Sequence, residues 1–505
     1  MFATLAYTLA ITASTLLLAC AVHIYRVKAS LAFYARQGAR VKFGYLSGFF
    51  EMMDPRHRDN SAVSNKQALY RLVDDGEYRG IIAANMPLTT QCGINIHTSD
   101  MVRDMLMQED SFDKIALIRE VTDVTGFFFK NGDEAFRLKA IFSKVFMYDE
   151  MTFMYVAIDR MLTGYIEKFN RDNGVSDREF TRVDLNKFFE PVMECIANFV
   201  ITGEETIEVP DRIKELNRCF EKIFDASFSV ITHPLYALLP KLTNKYKLLR
   251  FFKTMEIAQK RQIEIMSDLM KEREQMTDLG DCVLDRLIKH NRECTDSEKL
   301  SVAEAVGIYN LMYFAGTDTS KATSIMSICH LTTHPDVAEC LHRISSQIYD
   351  EQGFTSSAKI SNSEDLDLFM KETLRLFSPV QQQFAKMAKR DVKIGKFTIR
   401  KGDKVYIQIS AMHKDKTIFE DPYKFDINRF TRENEKNRPK YQYLPFSIGK
   451  RVCMGRHLGE LMIKMLLSKL CMHYEFDKPD DVEYYCLSYV TARIVTPVVL
   501  VKHRG

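Results

Sequence analysis

The sequence predicts a mainly α-helical protein with small β-sheets, an α+β arrangement, behind an N-terminal apolar helix. Three observations carry this expectation. Apolar residues recur at helical spacing, with breaks, from about Ser99 to Met270. A capped helical run from Ser301 to His334 is the longest in the chain. Short β-branched runs are confined to residues 78–97 and to the region beyond Val392.

The first element is set by charge. From Met1 to Tyr25 there is no Asp, Glu, Lys or Arg, and about 20 apolar residues suffice to span a bilayer. Arg26, Lys28, Arg36, Arg40 and Lys42 follow, with no acid before Glu51. A basic flank stays on the cytosolic side. Residues 1–25 are therefore expected to be a membrane anchor, 26–50 a basic linker and 51–505 a single domain. Ala19-Cys20-Ala21 offers the competing reading of a cleaved signal peptide. The n-region has no basic residue and the cluster follows the apolar run, so a retained anchor is expected.

Strand-like runs come next, around Ile81-Ile82 and Ile94–Ile96, then the long helical region. Within it, Ser229 to Leu242 is apolar but too short to span, and Lys241, Lys245, Lys247 and Arg250 follow. That pattern suits an interfacial membrane contact or a core segment. Lys271 to Leu300 is charged and reads as short helices and loops. Ser301 and Glu304 form a capping-box pattern opening the long helix, which Pro335 ends. Its roughly 33 residues would span about 50 Å. Strands are expected at Val392–Ile394, Phe397–Ile399 and Val405–Ile409, with a final pair between Tyr484 and Lys502. The expected result is a minor sheet near each end of the chain.

Composition excludes little beyond nucleic acid. Seventy basic against 67 acidic residues give a formal charge of +3, with no basic stripe carrying interleaved aromatics. Of the 11 cysteines, none forms a Cys-x-x-Cys pair or a zinc spacing. Ten are read as reduced structural thiols, as in a chain facing the cytosol.

The eleventh differs. Residues 446 to 455 read Phe-Ser-Ile-Gly-Lys-Arg-Val-Cys-Met-Gly. Leu458, Leu461, Met462, Met465 and Leu466 then mark a helix, so Cys453 would sit near its N-terminus, where the dipole favours an anion. Gly449 and Gly455 permit a tight turn and close approach of a flat ligand. A thiolate placed there can be the axial ligand of a haem iron, and it would favour O–O cleavage over oxygen carriage. Phe446, Gly449, Arg451, Cys453 and Gly455 fit Phe-x-x-Gly-x-Arg-x-Cys-x-Gly, so the chain resembles the cytochrome P-450 family.

Other segments resemble the family in the same order. Lys371-Glu372-Thr-Leu-Arg375 is similar to its Glu-x-x-Arg helix, and Arg429-Phe430 to the end of its Pro-Glu-Arg-Phe segment, with Ile427 and Asn428 replacing proline and glutamate. The resemblance implies a buried network of Glu372, Arg375 and Arg429. Ala315-Gly316-Thr317-Asp318-Thr319-Ser320 resembles the oxygen-activation segment: Gly316 and Ala315 give room above iron, Thr319 holds dioxygen or water, and Asp318 relays protons. The alternative for Thr-Asp-Thr-Ser is a helix cap. Gly126 to Lys139 resembles the family's third helix, with Ala135 and Lys139 at the usual tryptophan and arginine positions; the chain has no tryptophan. Lys139, Lys386 and Arg451 are the implied propionate contacts. Met312, Tyr313, Val380, Gln381, Gln382, Phe384 and Tyr489 fall where the family meets substrate.

The resemblance implies haem b, held by Cys453, in a monooxygenase that inserts one oxygen atom from O2 into an apolar substrate. No Gly-x-Gly-x-x-Gly follows a strand, so electrons are expected from a separate NADPH-cytochrome P-450 reductase, with cytochrome b5 as a second donor. Lys139, Lys144, Lys450 and Arg456 would supply the docking face. The implied location is the endoplasmic reticulum membrane, single-pass, with the domain cytosolic. Two rivals share the fold's features: a peroxide-rearranging or dehydrating enzyme, and a non-catalytic haem-binding sensor or carrier.

Overall fold

The computed structural model describes residues 2–42, 78–85, 90–114, 130–143, 146, 148–233, 240–349, 357–383, 385–484, 486–488 and 491–504. Helices α1 (Phe2–Ala35), α2 (Ser99–Leu106), α3 (Gly132–Ser143), α4 (Tyr148–Asn173), α5 (Leu185–Thr202), α6 (Asp211–Thr232), α7 (Pro240–Tyr246), α8 (Phe251–Glu274) and α9 (Val283–Glu293) precede the central helix α10 (Val302–Thr333). After it come α11 (Pro335–Ile348), α12 (Ser357–Ser361), α13 (Glu364–Leu376), α14 (Ile409–His413), α15 (Arg432–Lys436) and α16 (Arg456–His473).

α10 forms as the sequence predicts. The Ser301 hydroxyl accepts the Glu304 N–H at 3.2 Å and the Glu304 carboxylate accepts the Ser301 N–H at 2.9 Å, completing the capping box. Buried residues surround most of its circumference, because α5, α8, α13 and α16 pack against it. A helix that is apolar nearly all round belongs at the centre of a large core.

The strands are β1 (Arg40–Lys42), β2 (Ile82–Asn85), β3 (Cys92–Ile96), β4 (Phe112–Lys114), β5 (Thr181–Asp184), β6 (Lys386–Ala388), β7 (Val392–Ile394), β8 (Phe397–Ile399), β9 (Lys404–Ile407), β10 (Tyr474–Asp477), β11 (Cys486–Ser488), β12 (Ala492–Ile494) and β13 (Val498–His503). The expectation of a separate sheet at each end needs correcting. One six-stranded sheet, ordered β1-β2-β3-β9-β6-β4, joins them, with β3 parallel to β9. The expected final pair between Tyr484 and Lys502 is β11 with β12, while β13 lies between β10 and β5. The expected strand through Ile409 stops at Ile407, and Ile409 opens α14.

Of the expected 26–50 linker, residues 26–42 are described. Val27, Leu31 and Tyr34, one face of α1, are buried against the six-stranded sheet, and the Tyr34 hydroxyl donates to Asp403 at 2.5 Å. β1 then pairs with β2. Residues 43–50 lie outside the described residues, as do the side chains of residues 1–17 in the expected anchor. Among the described residues, no helix is long and apolar enough to cross a membrane.

Candidate functional site

The cysteine loop is built from local hydrogen bonds. The Cys453 N–H donates to the Phe446 carbonyl at 3.0 Å and the Val452 N–H to the Gly449 carbonyl at 3.1 Å. Gly449 has φ +79°, and a Cβ there would stand 3.0 Å from Glu109 Oε2 and 3.2 Å from Leu106 Cδ2. Glycine is thus required both by conformation and by space. Gly455 caps α16, and its N–H favours the Cys453 thiolate.

The thiol's acidity differs from the simple helix-terminus expectation. The Gly455 N–H, Lys139 and Arg456 favour the thiolate, but burial outweighs them and raises the Cys453 pKa. The side chain nevertheless has accessible surface. It is recessed yet open on one side. A bound metal cation would supply the charge that makes the thiolate favourable there.

A second accessible patch interrupts α10. Ala315 and Gly316 are exposed and Thr319 half-buried on one face of a helix whose flanks are buried, and nothing stands within 4 Å of a Cβ built on Gly316. The helix continues through Thr-Asp-Thr-Ser rather than starting there. Thr317 donates to the Tyr313 carbonyl at 2.7 Å, Thr319 to Ala315 at 2.8 Å and Thr323 to Thr319 at 2.9 Å. The Thr319 proton is therefore committed, and its lone pairs are left to accept. Asp318 is buried, with Oδ1 accepting from Arg493 Nη2 at 2.8 Å.

Behind the loop, Glu372 and Arg375 are fully buried on α13. Arg375 donates to both Glu372 oxygens at 2.7 and 2.8 Å, and to the carbonyls of His413, Pro422 and Lys424 at 2.9, 2.7 and 3.1 Å. All five guanidinium donors are thereby used. Arg429 Nε lies 3.5 Å from Glu372 Oε1, and the Asp426 N–H donates to the same oxygen at 2.8 Å. Burial pushes the Glu372 carboxyl up, opposed by Arg375.

The expected cationic contacts gather with a further lysine that no sequence pattern marks. Lys114 and Lys386 stand directly opposite in the antiparallel β4–β6 pair. Burial depresses Lys114 well below the usual lysine range, with help from Arg451 and Lys386; Lys139 is lowered by burial and then by Arg451. Like charges opposite one another destabilise a strand pair. Glu109 offsets part of this charge, lying 3.3 Å from Lys386 and accepting the Lys450 N–H at 3.3 Å. Lys139 Nζ donates to the Lys450 carbonyl at 3.0 Å, and Arg451 to that of Lys130 at 2.9 Å. A cluster of cations around the cysteine loop, an accessible thiol and an open glycine on α10 fit a haem: the sulfur would hold iron, and the cations its two carboxylates.

The expected substrate positions divide. Met312, Val380 and Gln382 are half-buried. Tyr313 is turned into the α5–α6–α10 interface, where its hydroxyl donates to Glu194 at 2.7 Å and its ring meets Phe220. Gln381 is buried, with Nε2 3.8 Å from Cys486 Sγ. Phe384, Tyr489 and Lys144 lie outside the described residues. Of the expected docking cations, Lys450 pairs with Asp110 at 2.8 Å and Arg456 with Glu460 at 2.8 Å. All 11 cysteines are free.

Comparison with known proteins accords with this geometry. The cytochrome P450 family model matches residues 86–488. The chain is 33% identical to cytochrome P450 3A15 of Cavia porcellus over 191 residues, 38% of each chain. It is 29% identical to cytochrome P450 3A28 of Bos taurus over 188 residues, 37% of each. It thus aligns with less than two fifths of the length of these curated relatives. The crystal structure of the cytochrome P450DA heme domain superposes with a TM-score of 0.72 at 19% identity, over 87% of this chain and 92% of that one.

Proposed function

Because the chain belongs to the cytochrome P450 family, with the family model matching residues 86–488, we propose that it is a haem-thiolate monooxygenase acting on an apolar organic substrate. Two observations support the proposal, the accessible Cys453 and the accessible Ala315–Gly316 face of α10. We read them as the two walls of one haem-sized cleft. When bound, the haem supplies the redox chemistry of dioxygen activation.

The chain's own residues then have separable tasks. Cys453 is the iron ligand, and the nearby Gly455 N–H tempers the thiolate. Lys114, Lys139, Lys386 and Arg451 hold the propionates. Thr319, its proton spent on the Ala315 carbonyl, accepts a hydrogen bond from a ligand or water in the cleft. Asp318 moves protons from solvent toward it. Glu372, Arg375 and Arg429 fix the backbone behind the loop.

Electrons come from a separate NADPH-dependent reductase, for which Lys450 and Arg456 are accessible docking charges; a partner's carboxylates would displace Asp110 and Glu460. The uncharged run of Met1 to Tyr25 with its basic flank supports anchorage in the endoplasmic reticulum membrane. Leu242, Tyr246 and Leu248, exposed beside Lys245 and Lys247, support a second contact with the membrane surface.

The test combines the purified protein with NADPH and reductase. A screen of fatty acids, sterols and aromatic compounds for a substrate-induced spin-state shift selects the ligand. Oxygen uptake with formation of a monooxygenated product is expected. No oxygen uptake, but conversion of a lipid hydroperoxide, would replace this reading by a peroxide-rearranging enzyme. Haem binding with neither activity would leave a sensor or carrier.

A further inference from the structure

We propose that Arg493 is the positioning residue for Asp318, and that the β11–β12 hairpin thereby sets proton delivery to the cleft. This rests on the monooxygenase reading above. Arg493 lies outside the family-model match and in none of the segments that resembled the family.

The two partners are unequal. The Asp318 side chain is 9% exposed and that of Arg493 56%, with Nη2 at 2.8 Å from Oδ1. One carboxylate oxygen is thus fixed by a group that reaches solvent. The other, Oδ2, is buried with no hydrogen-bond partner among the described residues. The carboxylate is therefore differentiated: Oδ1 is held and Oδ2 is the oxygen free to gain and release a proton. Arg493 carries no proton in this scheme, since a guanidinium stays charged. Its work is to hold the acid's rotamer and to offset its charge away from bulk water. The next cation along α10, Lys321, is directed to Glu190 of α5 at 3.5 Å and does not substitute.

The β11–β12 pair sets the direction of this contact. Ala492 and Ile494 are buried, so strand alternation sends Arg493 to the other face. The Ala492 N–H donates to the Pro379 carbonyl at 2.8 Å, and Gln381 Nε2 lies 3.8 Å from Cys486 Sγ on the pairing strand. The element that holds Asp318 is thus tied to residues 379–381, beside the expected substrate positions. Displacement of that segment would be felt at the acid.

The test compares Arg493→Gln, Arg493→Lys and Asp318→Asn in the haem-loaded protein, using the compound with the largest spin-state shift in the screen. Product formed per NADPH consumed should fall several-fold in Arg493→Gln, with KM within twofold of wild type and a raised solvent isotope effect on kcat. Arg493→Lys should recover most of it. Turnover driven by cumene hydroperoxide, which needs no proton delivery to dioxygen, should stay within twofold of wild type in Arg493→Gln and Arg493→Lys. A readout without turnover accompanies it: the thermal midpoints of the two single variants and the double variant should be non-additive, because the same contact is lost in each. Wild-type coupling in Arg493→Gln while Asp318→Asn is uncoupled, or additive midpoints, would overturn the proposal alone. Wild-type protein with no NADPH-dependent oxygen uptake would instead overturn the parent reading, and this role with it.

Discussion

Replacing Arg375 by lysine keeps the charge and removes only the planar fork. Arg375 serves five acceptors: two oxygens of Glu372 and the carbonyls of His413, Pro422 and Lys424. An ammonium has three donors, so at least two acceptors lose their partner in a site fully closed to water. Each lost hydrogen bond to a charged group costs about 1.5–3 kcal/mol, giving roughly 3–6 kcal/mol in all. Domains are stable by only about 5–15 kcal/mol, so the loss is a large share of the total. The carbonyls lie in the segment leading to the cysteine loop, so haem should also escape faster. Urea unfolding followed by circular dichroism reads the first effect, and transfer of haem to an acceptor protein the second. A variant within about 1 kcal/mol of wild type that keeps its haem would refute the reasoning.

Other consequences are equally specific. His413 Nε2 accepts the Leu444 N–H at 2.9 Å, and burial with the nearby Arg375 charge lowers its pKa from 6.5 to about 3. Below pH 6.5 the unfolded chain takes up a proton that the native state refuses, so stability should fall with pH toward 3 by up to about 1.4 kcal/mol per unit. His413→Asn should make that acid slope shallower by one proton; an unchanged slope would contradict the assignment. Lys469 and Asp159 form a buried pair at 2.5 Å joining α16 to α4. Lys469→Met alone should cost about 3–5 kcal/mol, and adding Asp159→Leu should restore most of it. Gly449→Ala, at φ +79°, should cost about 1–2 kcal/mol in the same unfolding assay and speed haem loss.

What could be read beforehand depends on how local each signal is. The capping box of α10, Gly316 within it and the Cys453 loop are written in consecutive residues, and each occupies the expected kind of element. Val405 to Ile409 shows where periodicity misleads. Its alternation suits a strand, but the chain turns at Gln408 and Met412 is drawn in by Gln442, whose amide donates to the Met412 carbonyl at 2.5 Å. Lys114, Glu109 and Arg493 carried no signal because each acts through a distant partner. Lys114 meets Lys386 only by the β4–β6 register, Glu109 meets Lys450 from 341 residues away, and Arg493 meets Asp318 across 175. The balance at Cys453 between burial and nearby cations is likewise one that sequence does not contain.

The claim on which the rest depends is that Cys453 binds haem iron as a thiolate. Cys453→Ser tests it through the absorption spectrum of the ferrous carbon monoxide complex, with circular dichroism to show that the variant is folded. The account predicts that the wild-type protein gives the red-shifted thiolate-type band and that the serine variant, though folded, loses it. A thiolate-type band that survives in Cys453→Ser would contradict the account at its centre.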